Sequence, residues 1–229
     1  MTADTLASVV LPAYNQADHI GDVVREFASA LDRMPLRHEI VLVPNGSRDA
    51  TESACAELAR TVPHVRTEPL ARGGWGRAVR HGIARARGDL LCYTNSARTS
   101  PGELTLTILY AATHPGTVVK ANRKIRDHWM RRLGSLVYNL ECRALFDLSC
   151  WDVNGTPKVF PRSCERLLRL THDDDLIDAE FVRTCREAGY PMLEVPVFSF
   201  RRYGGKSTTN LGSAFRMYWG AWAMRRTPR

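Results

Sequence analysis

Nowhere in its 229 residues does this chain sustain the roughly 20 apolar residues needed to cross a bilayer, so any contact with a membrane is expected to be peripheral. Met1 to Ala7 includes acidic Asp4 and lacks an apolar core, so no secretory leader is expected and the chain reads as cytoplasmic. The six cysteines, Cys55, Cys92, Cys142, Cys150, Cys164 and Cys185, include no CxxC pair and no histidine at close ligand spacing. That pattern argues against a zinc site and for reduced core thiols. Internal repeats, low-complexity stretches and interdomain linkers are also missing. Lysine is scarce, occurring only at 120, 124, 158 and 206, so the net charge of +8 rests mainly on arginine. Arginine usage reflects genomic composition as readily as function. A basic surface nevertheless suits phosphorylated substrates, anionic lipid headgroups or nucleic acid. Nucleic acid ranks last, because the aromatics are not interleaved with the basic residues as a stacking surface.

What is present fits one domain of ordinary size, with 44% hydrophobic and 24% charged residues. Ser8 to Leu11 is a β-branched run ending at Pro12. The turn Ala13-Tyr14-Asn15-Gln16 leads to a helix in which Ile20, Val23, Val24, Phe27 and Leu31 share one face. Glu39 to Val43 predicts a second strand, then a Pro44-Asn45-Gly46-Ser47 turn and a helix from about Asp49 to Arg60. Val65 to Thr67 is a weaker strand, followed by the glycine-rich turn Arg72-Gly73-Gly74-Trp75-Gly76 and a helix over Arg77 to Arg87. Asp89 to Tyr93 predicts a strand, Pro101 to Thr113 a helix and Thr117 to Lys120 another strand. Strands alternating with helices at this spacing predict an α/β fold with a mostly parallel sheet and ligand loops at the carboxyl ends of its strands. The turns at Tyr14, Asn45, Gly74 and Asn95 fall at such ends or beside them.

Past Lys120 the rhythm changes. Ala121 to Asp127 is basic, and a helix follows with Trp129, Leu133, Leu136, Val137, Leu140 and Ala144 expected on its buried face. The acidic run His172 to Asp175 is expected to cap a helix from Leu176 to Ala188 through Asp175; a relocated metal site is the weaker alternative. Strand Met192 to Val197 precedes the loop Arg201 to Ser207, and residues 211–229 form an amphipathic aromatic and basic segment. That segment suits the surface of an anionic membrane, or else it covers the core or a partner in a homodimer.

Six stretches in order resemble family 2 glycosyltransferases of the GT-A (Rossmann-like) fold, in the branch similar to dolichol- and polyprenol-phosphate sugar transferases. VVLPAYNQADHI resembles the family opening PAYNE, and EIVLVPNGSRDAT resembles EIIVVDDGSTDGT. GWGRAVRHGIARARGD resembles GKGAAVRAGLAAARGD, and DVNGTPKVFPR, DLIDAEFV and EVPVFSFRRYGGKST resemble three later stretches. The resemblance implies one GT-A domain over 1–210, with 1–120 binding a nucleotide-sugar donor and 121–210 the acceptor. Pro12, Ala13, Tyr14, Asn15, Asn45 and Gly46 would hold the nucleoside, although the family's paired acids before GS are here Pro44 and Asn45.

A larger departure lies between the strand at Tyr93 and the helix at Pro101. Where the family carries Asp-x-Asp, this chain has Asn95-Ser96-Ala97, with no negative charge. Mg²⁺ and Mn²⁺ need hard anionic oxygens, so no divalent cofactor is expected. Countercharge for the diphosphate is then expected from Arg98, Arg72, Arg77 and Lys206, beside Asn95 and Ser96. One cation–anion pair at about 4 Å and an effective dielectric near 20 is worth on the order of 4 kcal/mol before desolvation.

The acceptor is expected to be a polyprenyl phosphate or another small molecule. Its phosphate would meet Lys120, Arg123, Arg131 and Arg202, with Asn154 shaping the pocket. The bland reading of those cations is a solvated face, and of Asn154-Gly155 a turn. For a hydroxyl acceptor the resemblance points to Asp178 or Glu180 as base; both also suit a helix N-terminus with no chemical role. Loss of the acidic pair leaves open a second reading, a transferase-like protein without activity that serves as a nucleotide-binding or regulatory subunit.

Overall fold

Two β-branched runs buried on both faces start the sheet. Strand β1 (Leu6–Ala13) pairs in parallel with β2 (Arg37–Pro44) along its full length, from Leu6↔Arg37 to Ala13↔Pro44. Burial on both faces is what a parallel sheet sandwiched between helices demands. The computed structural model describes residues 4–125, 129–198 and 211–225, the side chains of 125, 129–133 and 211–216 excepted. Strands β3 (Val65–Thr67), β4 (Leu90–Tyr93), β5 (Val118–Ile125), β6 (Lys158–Pro161) and β7 (Met192–Phe198) complete one seven-stranded sheet in the order β3-β2-β1-β4-β6-β5-β7. Only β6 runs against its neighbours β4 and β5.

Helices α1 (Ile20–Leu31), α2 (Thr51–Thr61), α3 (Trp75–Arg85) and α4 (Pro101–Thr113) connect the first five strands, followed by α5 (Trp129–Phe146), α6 (Ile177–Ala188) and α7 (Leu211–Arg225). The stripe Ile20, Val23, Val24, Phe27 and Leu31 is buried, as its spacing predicts. Helix α4 starts where Ser100 and Glu103 form a reciprocal capping box with Pro101 at the first position. Helix α3 meets the sheet through Gly82, where an added Cβ would lie 2.3 Å from a Val10 methyl.

Four expectations need correction. Strand β5 continues to Ile125, so most of the basic segment is sheet rather than connection. Strand β6 was not expected; its four residues open on charged Lys158 and show no period-2 signal. Helix α5 buries Tyr138, Asn139, Cys142 and Phe146, whereas Leu136, Val137, Leu140 and Ala144 are exposed. Both faces of that helix are apolar, and the aromatic one wins because Tyr138 packs edge-on against Tyr218 of α7, with ring centroids 5.5 Å apart. At the start of α6 the N-cap position is Leu176 rather than Asp175, and Asp174 takes the Leu176 N–H at 3.0 Å.

Candidate functional site

The carboxyl ends of β1, β2 and β4 converge on one edge, and their loops are tied to one another. Asn15, in a left-handed conformation with φ of 50°, donates its N–H to Ser47 Oγ at 3.1 Å and accepts the Arg48 N–H at 2.8 Å. Gln16 and Ala17 donate backbone N–H groups to Thr51 Oγ1 and Asp49 Oδ2. Buried Asn45 is the hub: its Nδ2 donates to the carbonyls of Ala13 (2.9 Å) and Val43 (3.2 Å), and its Oδ1 accepts the Gly74 N–H at 3.2 Å. A carboxylate here would face two carbonyl oxygens, so the amide is what this junction requires. Asn45 therefore holds the loops rather than offering its amide outward. Gly46, at φ of 64°, approaches the Gly73 backbone too closely for a side chain, and the Tyr14 ring lies against Gly73. Pro12 and Ala13 are the last residues of β1.

The loop after β4 is equally closed. Thr94 and Thr99 join hydroxyls at 2.7 Å, Asn95 Oδ1 accepts the Ala97 N–H at 2.9 Å, and buried Ser96 donates to Gln16 Oε1 at 2.5 Å. Ala97 is buried and Arg98 half-buried beside it. A divalent cation does not fit this donor set: one oxygen is committed to a turn, one hydroxyl to Gln16, and the third side chain is a methyl. Among the described residues no group of three or more His, Cys, Asp or Glu is placed to hold a metal ion.

Towards β7 the site is underlain by charge. Tyr93, Lys158, Lys120 and Glu194 stand in register across β4, β6, β5 and β7 as one rung of the sheet. Asp178, in the first turn of α6, accepts from Tyr93 Oη at 2.9 Å, from Lys158 Nζ, and from the Trp75 indole N–H at 3.2 Å. Lys120 donates to Glu194 at 2.9 Å and to the backbone carbonyls of Ala121 and Asp152. Glu194 also accepts the backbone N–H groups of Trp151 and Asp152, and Asp152 takes Arg123 through Nε at 2.7 Å and Nη2 at 2.8 Å. Three cations thus meet three carboxylates in the interior. Burial lowers the Lys158 pKa against the opposing pull of Asp178, and burial with the Asp178 charge pushes the Tyr93 phenol well up, keeping it a donor. Burial also works against the Arg123 charge, but Asp152 outweighs it and raises the pKa.

The carboxylates expected to serve as base are therefore engaged elsewhere. The Asp178 side chain is 8% exposed with both oxygens bonded. Glu180, 1% exposed, accepts from the Thr171 N–H and hydroxyl and from the His172 N–H and Nδ1. Both carboxylates are thus held by internal donors. Lys120 is likewise enclosed and paired, not displayed to an acceptor.

Arg77 and Arg80 both hold Asp173, at 2.7 Å each, and the Arg77 hydrogen bond is the main reason that carboxyl titrates below its usual range. The glycine turn accommodates this loop: a Cβ on Gly76 would lie 2.3 Å from the His172 carbonyl oxygen. Arg72 is exposed and, among the described residues, unpaired. Asn154 is half-buried, with Oδ1 enclosed and no donor for it among the described residues. Lys206 and Arg202, and the side chain of Arg131, lie outside what the structure describes. Sequence reasoning missed Trp75, Tyr93, Lys158 and Glu194 as site-forming residues. One signal was available, a tryptophan in GWG where the related stretch reads GKG.

Comparisons with known proteins agree with this fold. The profile of Glycosyl transferase family 2 matches residues 8–166. The undecaprenyl-phosphate 4-deoxy-4-formamido-L-arabinose transferase of Edwardsiella ictaluri is 30% identical over 135 residues, covering 58% of this chain and 42% of that protein. The enzyme of the same name from Pseudomonas fluorescens is 28% identical over 154 residues, covering 62% and 44%. The chain thus spans less than half the length of these curated relatives. Among solved structures, glucosyl-3-phosphoglycerate synthase from Mycobacterium tuberculosis, in complex with Mn²⁺, UDP and phosphoglyceric acid, superposes with a TM-score of 0.76 at 20% identity. That superposition covers 99% of this chain and 81% of the synthase, and it speaks for the GT-A fold.

Proposed function

This chain belongs to glycosyl transferase family 2, and from that premise we propose that it transfers a sugar from a nucleotide-sugar donor to a polyprenyl phosphate without a divalent cation. The observation that carries the reading is the engagement of Asp178 and Glu180 by internal donors. With Asp178 and Glu180 both engaged, the reading favours an acceptor that arrives already ionised. A phosphate monoester satisfies that near neutral pH, with a second pKa of about 6. The names of the curated relatives, which act on undecaprenyl phosphate, support the same acceptor class.

The step then needs no proton transfer. An acceptor phosphate oxygen attacks the anomeric carbon, the bond from that carbon to the diphosphate oxygen breaks, and the electron pair leaves with the nucleoside diphosphate. Arg72 and Arg98 supply countercharge to the departing diphosphate, with Lys206 as a third cation. Arg77 acts at one remove by fixing the Asp173 loop against the glycine turn. The tied loops around Asn45 hold Tyr14 and Asn15 for the nucleoside without reorganisation on binding. The protein works at the inner face of the membrane, where such an acceptor is held.

The test is a transfer assay with a water-soluble short-chain prenyl phosphate, the matching prenyl alcohol and a panel of nucleotide sugars. The phosphate is expected to be glycosylated and the alcohol not, and the rate should rise with pH through about 6 and then level, following acceptor ionisation. Faster transfer to the alcohol would overturn the reading. Donor-dependent thermal stabilisation with no turnover on any acceptor would favour the second reading, a nucleotide-binding regulatory subunit, for which the lost acidic pair is the motive.

A further inference from the structure

We propose that the exposed faces of α5 and α7 form a docking surface for an anionic lipid bilayer. On α5 the side chains of Leu136, Val137 and Leu140 are 55%, 49% and 65% exposed, and on α7 Trp219 and Trp222 are 70% and 47% exposed. The two helices form one unit, joined by the Tyr138–Tyr218 ring contact and by the Tyr218 hydroxyl on the Gly134 carbonyl at 2.7 Å. Next along the Leu136–Leu140 stripe comes Arg143, whose guanidinium lies 3.8 Å over the ring of exposed Trp151. Aliphatic side chains interspersed with tryptophan and arginine are the composition of an interfacial surface, not of a face left bare in water.

Charge selects the partner. The sequences of α5 and α7 carry five arginines (131, 132, 143, 216 and 225) against one acid, Glu141. Glu141 has one oxygen enclosed with no hydrogen-bond partner among the described residues, and burial raises its pKa. An anionic leaflet complements that excess, whereas a second copy of the chain would bring like charge against like. Position agrees as well under the polyprenyl-phosphate reading: α5 follows β5 in the chain, and β5 carries Arg123, which that reading places on the acceptor side and which Asp152 holds. In that respect the proposal rests on the polyprenyl-phosphate reading; the docking itself does not.

Sedimentation of the full chain with vesicles of phosphatidylcholine, with and without phosphatidylglycerol, tests it. The protein should pellet with the anionic vesicles and be released by raised salt. The exposed double variant Leu136→Glu/Leu140→Glu should keep its melting temperature and its turnover of the soluble short-chain phosphate, yet lose about tenfold or more in vesicle partitioning. Trp219→Ser/Trp222→Ser should act in the same direction. Equal partitioning of wild type and both variants would overturn the proposal. So would a wild-type dimer that either variant converts to monomer with no vesicle binding by wild type, which would assign the face to a second copy. Vesicle binding without turnover of the soluble phosphate would instead count against the transferase reading alone.

Discussion

Asp178→Ala is expected to cost about 3–5 kcal/mol of unfolding free energy, the range for removing one partner of a buried ion pair. The substitution leaves Lys158 and Lys120, cross-strand neighbours that are both fully enclosed, with one carboxylate fewer between them. It also strands the Tyr93 hydroxyl and the Trp75 indole N–H. Asp178→Asn, which keeps an acceptor but removes the charge, should fall between wild type and Ala. A compensated double variant, Asp178→Leu with Lys158→Met, should recover much of the loss, because replacing both ions removes the desolvation cost along with the attraction. Denaturant titration reads all three. A residue that acted only as a base would give the opposite pattern: turnover lost and stability unchanged in Asp178→Ala.

The second large effect concerns the loop after β4. Asn95→Asp combined with Ala97→Asp rebuilds the Asp-x-Asp pair of the family stretch that this loop resembles. The first substitution keeps an oxygen in place to accept the backbone N–H of residue 97, but position 97 is buried, so a carboxylate there is desolvated. In EDTA the double variant should therefore lose about 1–3 kcal/mol. Mn²⁺ should restore it, by about 2.7 kcal/mol at a hundredfold excess over its dissociation constant. The wild-type melting temperature should not respond to Mn²⁺. A wild-type shift as large as the variant's would mean that the natural loop already binds the ion, and the account of this loop would be wrong.

The first half of the fold was largely legible because its signals are local. Ser100, Pro101 and Glu103 are close neighbours in sequence, so the start of α4 follows from the residues alone. The α1 stripe likewise shows in its own spacing. The second half was not, because its organising contacts are remote. Asp178 meets Lys158, Tyr93 and Trp75 across 20, 85 and 103 residues. An acid in DAE reads the same whether it faces a substrate or a buried lysine. Helix α5 failed for another reason: two apolar faces compete, and only the position of Tyr218 decides which is buried. The missing acids at 95 and 97 were plain from the sequence, whereas the commitment of Asn95 and Ser96 to Ala97 and Gln16 was not.

The most direct measurement is the rate of sugar transfer to a soluble prenyl phosphate, on metal-stripped protein, in excess EDTA and then with Mn²⁺ or Mg²⁺ restored. Countercharge from Arg72 and Arg98 predicts equal rates in all three conditions, and a fall in Arg72→Ala that no metal rescues. Activity abolished by EDTA and recovered with Mn²⁺ would contradict the account.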